Sequence, residues 1–536
     1  MPGGLLNLVS AGNQNVLLNG NPSKTFFKTT YSKYTNFGLQ KFRIDFDGAT
    51  NLRLSEPSTF KFKVPRYADL LMGTYLCVTL PTIWSSLYKS DSGCYLPYDF
   101  KWIDNLGTMM IKQVTFNVGG QIIQKFSGQY LRNLVERDFA GSIKLTYHDM
   151  TGNTLSLNDP ANANGRINQY PTATYDASWQ SGPEPSIRSR KLFIPLNTWF
   201  TLASAMAFPL VSLQYNELTI DVEMRPIQEL FVIRDIVNAS AYSPGDAPYV
   251  QANQTILAYN FSRFIQPPPN ASYDYTGTDT RTNWAADIHL TSTYAFLSED
   301  EVRVFASTEQ SYLIKEVYEY NFNNLVGPNR VSLDSMGLVA NWMWYFQRSD
   351  VQLRNQWSNY TNWPYKTMPQ NVSQYPVNTS ACTLRQVYST GEFNPANQKT
   401  IMSKWAILLD GTYRENSLDA GILQYVEKYT ASAGYSTNNL YCYNFELLTN
   451  PDDFQPSGAM NLSKFSTVQF EFTTFQPPLD PLAQVFVICD PVTNQIIGVN
   501  KPTWQLYDYN YDLTVFEERY NVVTFLSGNA GLMFAR

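Results

Sequence analysis

Histidines, cysteines and clustered carboxylates are the side chains that do most enzymatic chemistry, and this chain uses them sparingly. It has two histidines, His148 and His289. A hydrolytic triad or a metal centre needs a histidine beside a nucleophile or beside further ligands. One histidine adjoins a polar stretch and the other sits in a strand-like pattern, so both read as ordinary side chains. Five cysteines (Cys77, Cys94, Cys382, Cys442 and Cys489) are widely spaced and form no CxxC. They predict buried free thiols rather than a disulfide framework or a zinc site. Asp452-Asp453 reads as a solvated turn. Glu299-Asp300-Glu301 reads as negative charge at a helix start, where it meets the helix dipole. A glycosidase pair of acids has no further support. Gly119-Gly120 is followed by no Gly-Lys-Ser, so it predicts a hairpin turn and not a phosphate cradle. No enzyme, cofactor or metal is expected.

Two further groups of residues bear on binding. Lys24, Lys28, Lys33, Lys41 and Arg43 interleave with Phe26, Phe27, Tyr31, Tyr34 and Phe37. Aromatics that stack and lysines that meet phosphates suit single-stranded nucleic acid. The same residues suit an arm that packs on neighbouring protein. Glycosylation acceptor patterns fall at Asn238, Asn253, Asn260, Asn270, Asn359, Asn371, Asn378 and Asn461. The chain is so rich in Asn, Ser and Thr that composition alone yields nearly as many. With no secretory signal at the N-terminus, most are expected to carry no glycan.

The elements that would position such residues are mainly strands. The 536 residues are enough for at least two cores. Charged residues make up 16% and aromatics 15%, a balance that suits pleated sheets and protein contacts. A net charge of −6 argues against a bulk nucleic-acid binder. No apolar run is long enough for a membrane helix, and the N-terminus lacks a signal peptide, which predicts synthesis and assembly in the cytoplasm.

Phe60, Phe62 and Val64 alternate with Thr59, Lys61 and Lys63, the period of a half-buried strand. Residues 71–80 form a longer apolar run. Val114, Phe116 and Val118 alternate up to Gly119-Gly120, and Ile122-Ile123 follows. Residues 192–196 form another strand. Val211, Leu213 and Tyr215 alternate, then the phase slips and resumes at Leu218, Ile220, Val222 and Met224, which predicts a β-bulge.

Residues 313–320, 339–346, 405–409, 440–447, 468–472 and 485–488 repeat the strand texture. Helices are few. One is predicted on Tyr130, Leu131, Leu134 and Val135. A second has a capping box of Ser298 with Glu301. A weaker third covers Ile422, Leu423, Tyr425 and Val426. Long polar stretches at 151–190, 226–283 and 350–397 separate the strands. Short strands with large excursions predict jelly rolls, whose loops gather at the ends of a sandwich.

Five segments, in order along the chain, resemble the major capsid protein of large nucleocytoplasmic DNA viruses. The first is Gly20-Asn21-Pro22-Ser23-Lys24-Thr25-Phe26-Phe27-Lys28, continuing to Tyr31-Ser32-Lys33-Tyr34-Thr35-Asn36-Phe37. The second is the stretch from Phe208-Pro209-Leu210 through Leu213-Gln214-Tyr215 to Glu217-Leu218. The third runs from Tyr294-Ala295-Phe296-Leu297 through Glu301 and Phe305 to Tyr312-Leu313-Ile314. The fourth is Gln455-Pro456-Ser457-Gly458 with Asn461-Leu462-Ser463. The last is Tyr520-Asn521-Val522-Val523 with Ser527-Gly528-Asn529-Ala530-Gly531-Leu532.

The resemblance implies an all-β chain of two consecutive eight-stranded antiparallel jelly rolls, with a few short helices and long loops. The divisions are 1–45 as an N-terminal arm and lead-in, 46–307 as the first roll and 308–536 as the second. It further implies a homotrimer that forms a pseudo-hexagonal capsomer in an icosahedral virion shell. Minor capsid and penton proteins, and an inner viral membrane, are implied neighbours; no specific nucleic acid is. The arm residues Lys24, Phe26, Phe27, Lys28, Tyr31, Tyr34 and Phe37 are then base contacts, and the loops face the host. The alternatives are a carbohydrate-binding or host-attachment jelly roll, whose Tyr- and Trp-rich loops would stack sugars, and a jelly-roll glycoside hydrolase.

Overall fold

A computed structural model describes residues 4–5 and 12–534, except 49, 92, 94, 177, 179–180, 239–247, 269–283, 365–373, 376–386, 389–397, 435–438, 454, 484, 502 and 504. Its principal strands are β1 (Gly38–Ile44), β2 (Ser58–Lys63), β3 (Leu70–Leu80), β4 (Ile111–Val118), β5 (Gln121–Phe126), β6 (Arg190–Pro195), β7 (Phe208–Pro209), β8 (Leu218–Met224) and β9 (His289–Phe296). The second half contributes β10 (Gln310–Leu325), β11 (Pro328–Leu333), β12 (Leu338–Arg348), β13 (Met402–Leu409), β14 (Thr412–Asp419), β15 (Leu440–Asn444), β16 (Val468–Thr474) and β17 (Tyr511–Leu526).

The two halves repeat one topology. In the first, one sheet runs β1-β9-β3-β7, with β6 also on β3, and faces a second that runs β2-β8-β4-β5. In the second half the orders are β10-β17-β12-β15 and β11-β16-β13-β14. This is the double jelly roll that the strand texture predicts. Strand alternation decides which side chains enter each core. In β2, Phe60 and Phe62 are buried while Thr59, Lys61 and Lys63 are exposed. In β16, Val468, Phe470 and Phe472 point inward. Gly119 and Gly120 close the β4–β5 hairpin with φ of 57° and 87°, the left-handed pair that glycine adopts at no steric cost.

β12 is buried along nearly its whole length because it faces two cores. Trp342, Trp344 and Phe346 enter the core of the second roll. Met343 and Tyr345, on the opposite face, join the core of the first. β17 also contributes to both cores, with Leu513 and Val515 in that of the second roll and Phe516, Val523 and Phe525 in that of the first. The sheet that carries them is therefore shared by both rolls.

Several expectations are corrected. The phase slip after Tyr215 is not a bulge. Leu210–Ser212 forms a 3-10 turn, and the chain does not become a strand until Leu218. Ser298 begins the helix Glu299–Ser307, but its side chain makes no cap to the helix backbone and instead donates to Glu301 Oε2 at 3.2 Å. The third helix exists as a π turn at Ile422–Val426 followed by Glu427–Ala431. Its Tyr425 and Val426 face solvent, and Leu423 is its buried anchor.

The strand at 440 ends at Asn444, and Leu447 is exposed. The stretch 226–283 is not all loop, because Phe231–Arg234 pairs with Lys101–Trp102 and Tyr249–Val250 over buried Ile227, Leu230 and Phe261. Cys77 and Cys442 are buried, but Cys489 is exposed on a hairpin, where its strand has no cover. Cys94 and Cys382 lie outside the described residues. Among those described, no helix is long and apolar enough to cross a membrane.

Strand register separates two ends of the molecule. At one end Gly38 lies opposite Phe296, Leu338 opposite Tyr520, and Gln310 opposite Phe525. This end carries the N-terminal arm, the Gly119-Gly120 turn and the linker helix at 299–307. At the other end Ile44 lies opposite Leu290, and Arg348 opposite Tyr511. The connections there are long: 81–110, 225–288, 349–401 and 475–510.

Candidate functional site: the joint between the rolls

The helix α1 (Gly128–Asp138) sits between the rolls. Ser127 caps it by accepting from the Tyr130 N–H at 3.4 Å. Tyr130, Leu131 and Leu134 bury its apolar face in the core, as their spacing predicts. Its last turn turns from apolar to ionic. Arg137, with a side chain 1% exposed, places Nη2 2.9 Å from Glu518 Oε1 on β17 and 2.8 Å from its neighbour Asp138. Arg137 Nη1 donates to Asn341 Oδ1 on β12 at 2.8 Å.

Asn341 in turn donates to Glu518 Oε2 at 2.8 Å and Glu446 Oε1 at 2.6 Å. Lys315 on β10 lies 2.9 Å from Glu446 Oε2. The hydroxyls of Tyr130, Tyr520 and Thr449 donate to Glu518, Glu446 and Asp138. Burial pushes the Glu518 carboxyl up, but Arg137 and Lys315 outweigh it and hold the group below its usual range. Burial wins at Asp138, whose carboxyl is raised. Gly434 donates its N–H to the Arg137 carbonyl at 2.9 Å. A Cβ there would lie 2.3 Å from that oxygen, so the close approach requires glycine.

Two further sets of contacts fix the relative orientation of the rolls. At the arm end, the N–H groups of Gln214 and Tyr215 donate to the Gly528 carbonyl at 3.2 and 3.3 Å, and Phe208 meets Phe525 edge-on. At the loop end, Asn355 donates to the carbonyls of Gln228 and Phe231 at 2.7 and 2.8 Å, and Trp357 donates to that of Glu229. Arm end meets arm end and loop end meets loop end. The two rolls therefore stand side by side and point the same way.

The joint was not among the sequence-predicted sites. Its signal is Glu517-Glu518-Arg519 inside an otherwise apolar strand, and Arg137-Asp138 at the end of an apolar helix. The predicted arm residues lie elsewhere. Residues 20–37 form an extended segment in which Lys24, Phe26, Phe27, Lys28, Tyr31, Tyr34 and Phe37 are all exposed. Thr35 Oγ1 donates to Glu301 Oε1 at 2.5 Å.

Of the glycosylation patterns, Asn270, Asn371 and Asn378 lie outside the described residues. Asn238, Asn253 and Asn461 are exposed, and Asn260 is half-buried. Asn359 is buried and donates its amide to Gln356 and Trp363. In Asn253, Asn359 and Asn461 the side-chain oxygen accepts from the N–H two residues on, so the same spacing also serves as an Asx turn. His148 ends a helix beside Asn153, and His289 is buried with Nδ1 2.7 Å from the Asp287 carbonyl. Among the described residues no group of three or more His, Cys, Asp or Glu is placed to hold a metal.

Residues 25–261 match the family model of the major capsid protein N-terminus. The major capsid protein of Phaeocystis pouchetii virus is 24% identical over the full length of both chains. Among solved structures, the Faustovirus major capsid protein superposes with a TM-score of 0.61 at 13% identity, over 97% of this chain and 98% of that one. VP54 of PBCV-1 does so with a TM-score of 0.60 at 18% identity, over 96% and 100%. Two jelly rolls held parallel by a sealed joint thus define the double jelly-roll fold that these structures share. Within that class the chain is similar to the major capsid proteins of large DNA viruses, over its full length to that of Phaeocystis pouchetii virus and over residues 25–261 to the family model.

Proposed function

We propose that three copies of this chain close into a pseudo-hexagonal capsomer and that capsomers tile an icosahedral shell. The observation that carries this reading is the parallel pair of rolls with one strand order. A threefold axis then generates six similar lobes from one gene product, and closed symmetry of this kind is the usual way identical chains assemble. In this reading 46–307 and 308–536 are the two lobes, and 1–45 is the arm that leads into them. The protein works by contact and not by catalysis. Light scattering after size exclusion tests it. A mass of three times 61.1 kDa is expected, and a folded monomer at micromolar concentration overturns the reading.

The arm end faces the interior in this arrangement, and the long loops face the host. Minor capsid proteins, penton proteins and an inner membrane are then neighbours of the arm end, and assembly takes place in the host cytoplasm. Exposed aromatics and five basic residues up to Arg43, with no acid before Asp45, support a contact role for the arm. Removing residues 1–37 is expected to leave folded trimers that do not form shells. Shells of normal yield from the truncated protein, counted by electron microscopy, would refute the role.

A further inference from the structure

The connection between β16 and β17 carries a two-stranded hairpin, Phe486–Cys489 paired with Ile496–Asn500. Its turn is well formed. Asp490 accepts from the Val492 N–H and the Thr493 hydroxyl at 2.8 and 2.9 Å, and the Asp490 N–H donates to the Gln495 carbonyl at 2.8 Å. The hairpin pairs with no other strand among the described residues. Its side chains contradict an open position in water. Phe486, Val487, Ile488, Ile496, Ile497 and Val499 are 47–70% exposed, on both faces of the ribbon. Asp490 is the one charged residue from 485 to 500.

A lone two-stranded hairpin is marginal in water. These six side chains leave on the order of 700 Å² uncovered, close to the roughly 800 Å² that each partner gives a standard interface. The largest apolar patch of a typical monomer is about 300–600 Å². An apolar surface of this size and near-zero charge has the composition of an obligate contact between identical chains.

We propose that the hairpin is an intersubunit clasp, covered on both faces by a second copy of this chain within the trimer. The clasp rests on the capsomer reading above and names one of its contacts. It lies in the 475–510 connection, at the loop end, and so ties the outer rim of the capsomer, while the arm works at the opposite end. Cys489, exposed on the same ribbon, is a built-in probe.

The purified full-length protein is treated with a maleimide and labelling is read peptide by peptide by mass spectrometry, alongside an Ile488→Asp/Ile497→Asp double variant. In the parent trimer Cys489 is expected to label at least tenfold more slowly than in the double variant. The variant should run as a monomer with an unchanged circular-dichroism spectrum. A parent trimer whose Cys489 labels as fast as in the urea-unfolded chain overturns the clasp and leaves the capsomer standing, as does a double variant that still forms trimers. A parent that is itself a monomer overturns both.

Discussion

The joint around Arg137 and the hairpin at 486–500 are both contact surfaces, built from opposite chemistry. In the joint, a fully buried guanidinium, two glutamates, an aspartate, an asparagine and a lysine saturate one another. On the hairpin, apolar side chains stand in water with almost no charge among them. The difference follows from when each contact forms. The joint closes once, inside one chain, as the second roll folds onto the first. A buried ionic network adds little net stability, since desolvation offsets attraction. It does penalise any other register of the rolls, because a shifted pair would leave charges buried without partners. The hairpin must stay available until another subunit arrives, and apolar area is the non-directional attraction suited to that step.

The comparison breaks most readily at Arg137. Arg137→Met leaves Glu518 and Asp138 buried without their cation, and a loss of about 3–5 kcal/mol is expected. Unfolding in urea should then separate into two transitions as the rolls uncouple. A single transition at the parent midpoint would show that the joint does not hold the rolls together.

Lys428 sharpens the same point by exception. It is 2% exposed near α1, and its ammonium has no hydrogen-bond partner among the described residues. Burial lowers its pKa from the usual 10.5 to about 8. Between pH 8 and 10.5 the unfolded chain binds more protons than the folded one, so stability rises with pH across that window. Below pH 8 the buried charge carries its full cost, roughly 3 kcal/mol. Lys428→Met is expected to stabilise the protein by a similar amount at pH 7 and to abolish the rise at alkaline pH, measured by denaturation at a series of pH values.

The smallest effect is expected where charges pair in the open. Asp287 bridges Arg43 on β1 and Lys191 on β6 at 2.7 and 3.1 Å, and its side chain is 41% exposed. The hydrogen bond from Arg43 holds its carboxyl down at about 2. The stabilisation is present above the ordinary carboxylate pKa and is lost as pH falls toward 2. Solvent screening keeps it below about 1 kcal/mol. Asp287→Asn should therefore shift the melting temperature slightly at pH 7 and by less at pH 2, where about half of the carboxylate is protonated.

Much of this was legible in the chain itself. The alternation at 59–64 put Phe60 and Phe62 inside because a strand turns successive side chains to opposite faces. Gly119-Gly120 required a tight hairpin, and the 3.6-residue spacing of Tyr130, Leu131 and Leu134 marked α1. The stretch at 211–217 misled because a 3-10 turn can imitate alternation over five residues. The Glu517-Glu518-Arg519 run was passed over because its partners on α1 are some 380 residues away in sequence.

Local patterning thus determined the strands, the turns and the repeated sandwich, since each depends on neighbours a few residues apart. Which face of β12 meets the first roll, which charges close the joint and which hairpin is left uncovered were decided only by the tertiary structure. Those outcomes depend on residues that share no local period and meet only when two separate sandwiches come together.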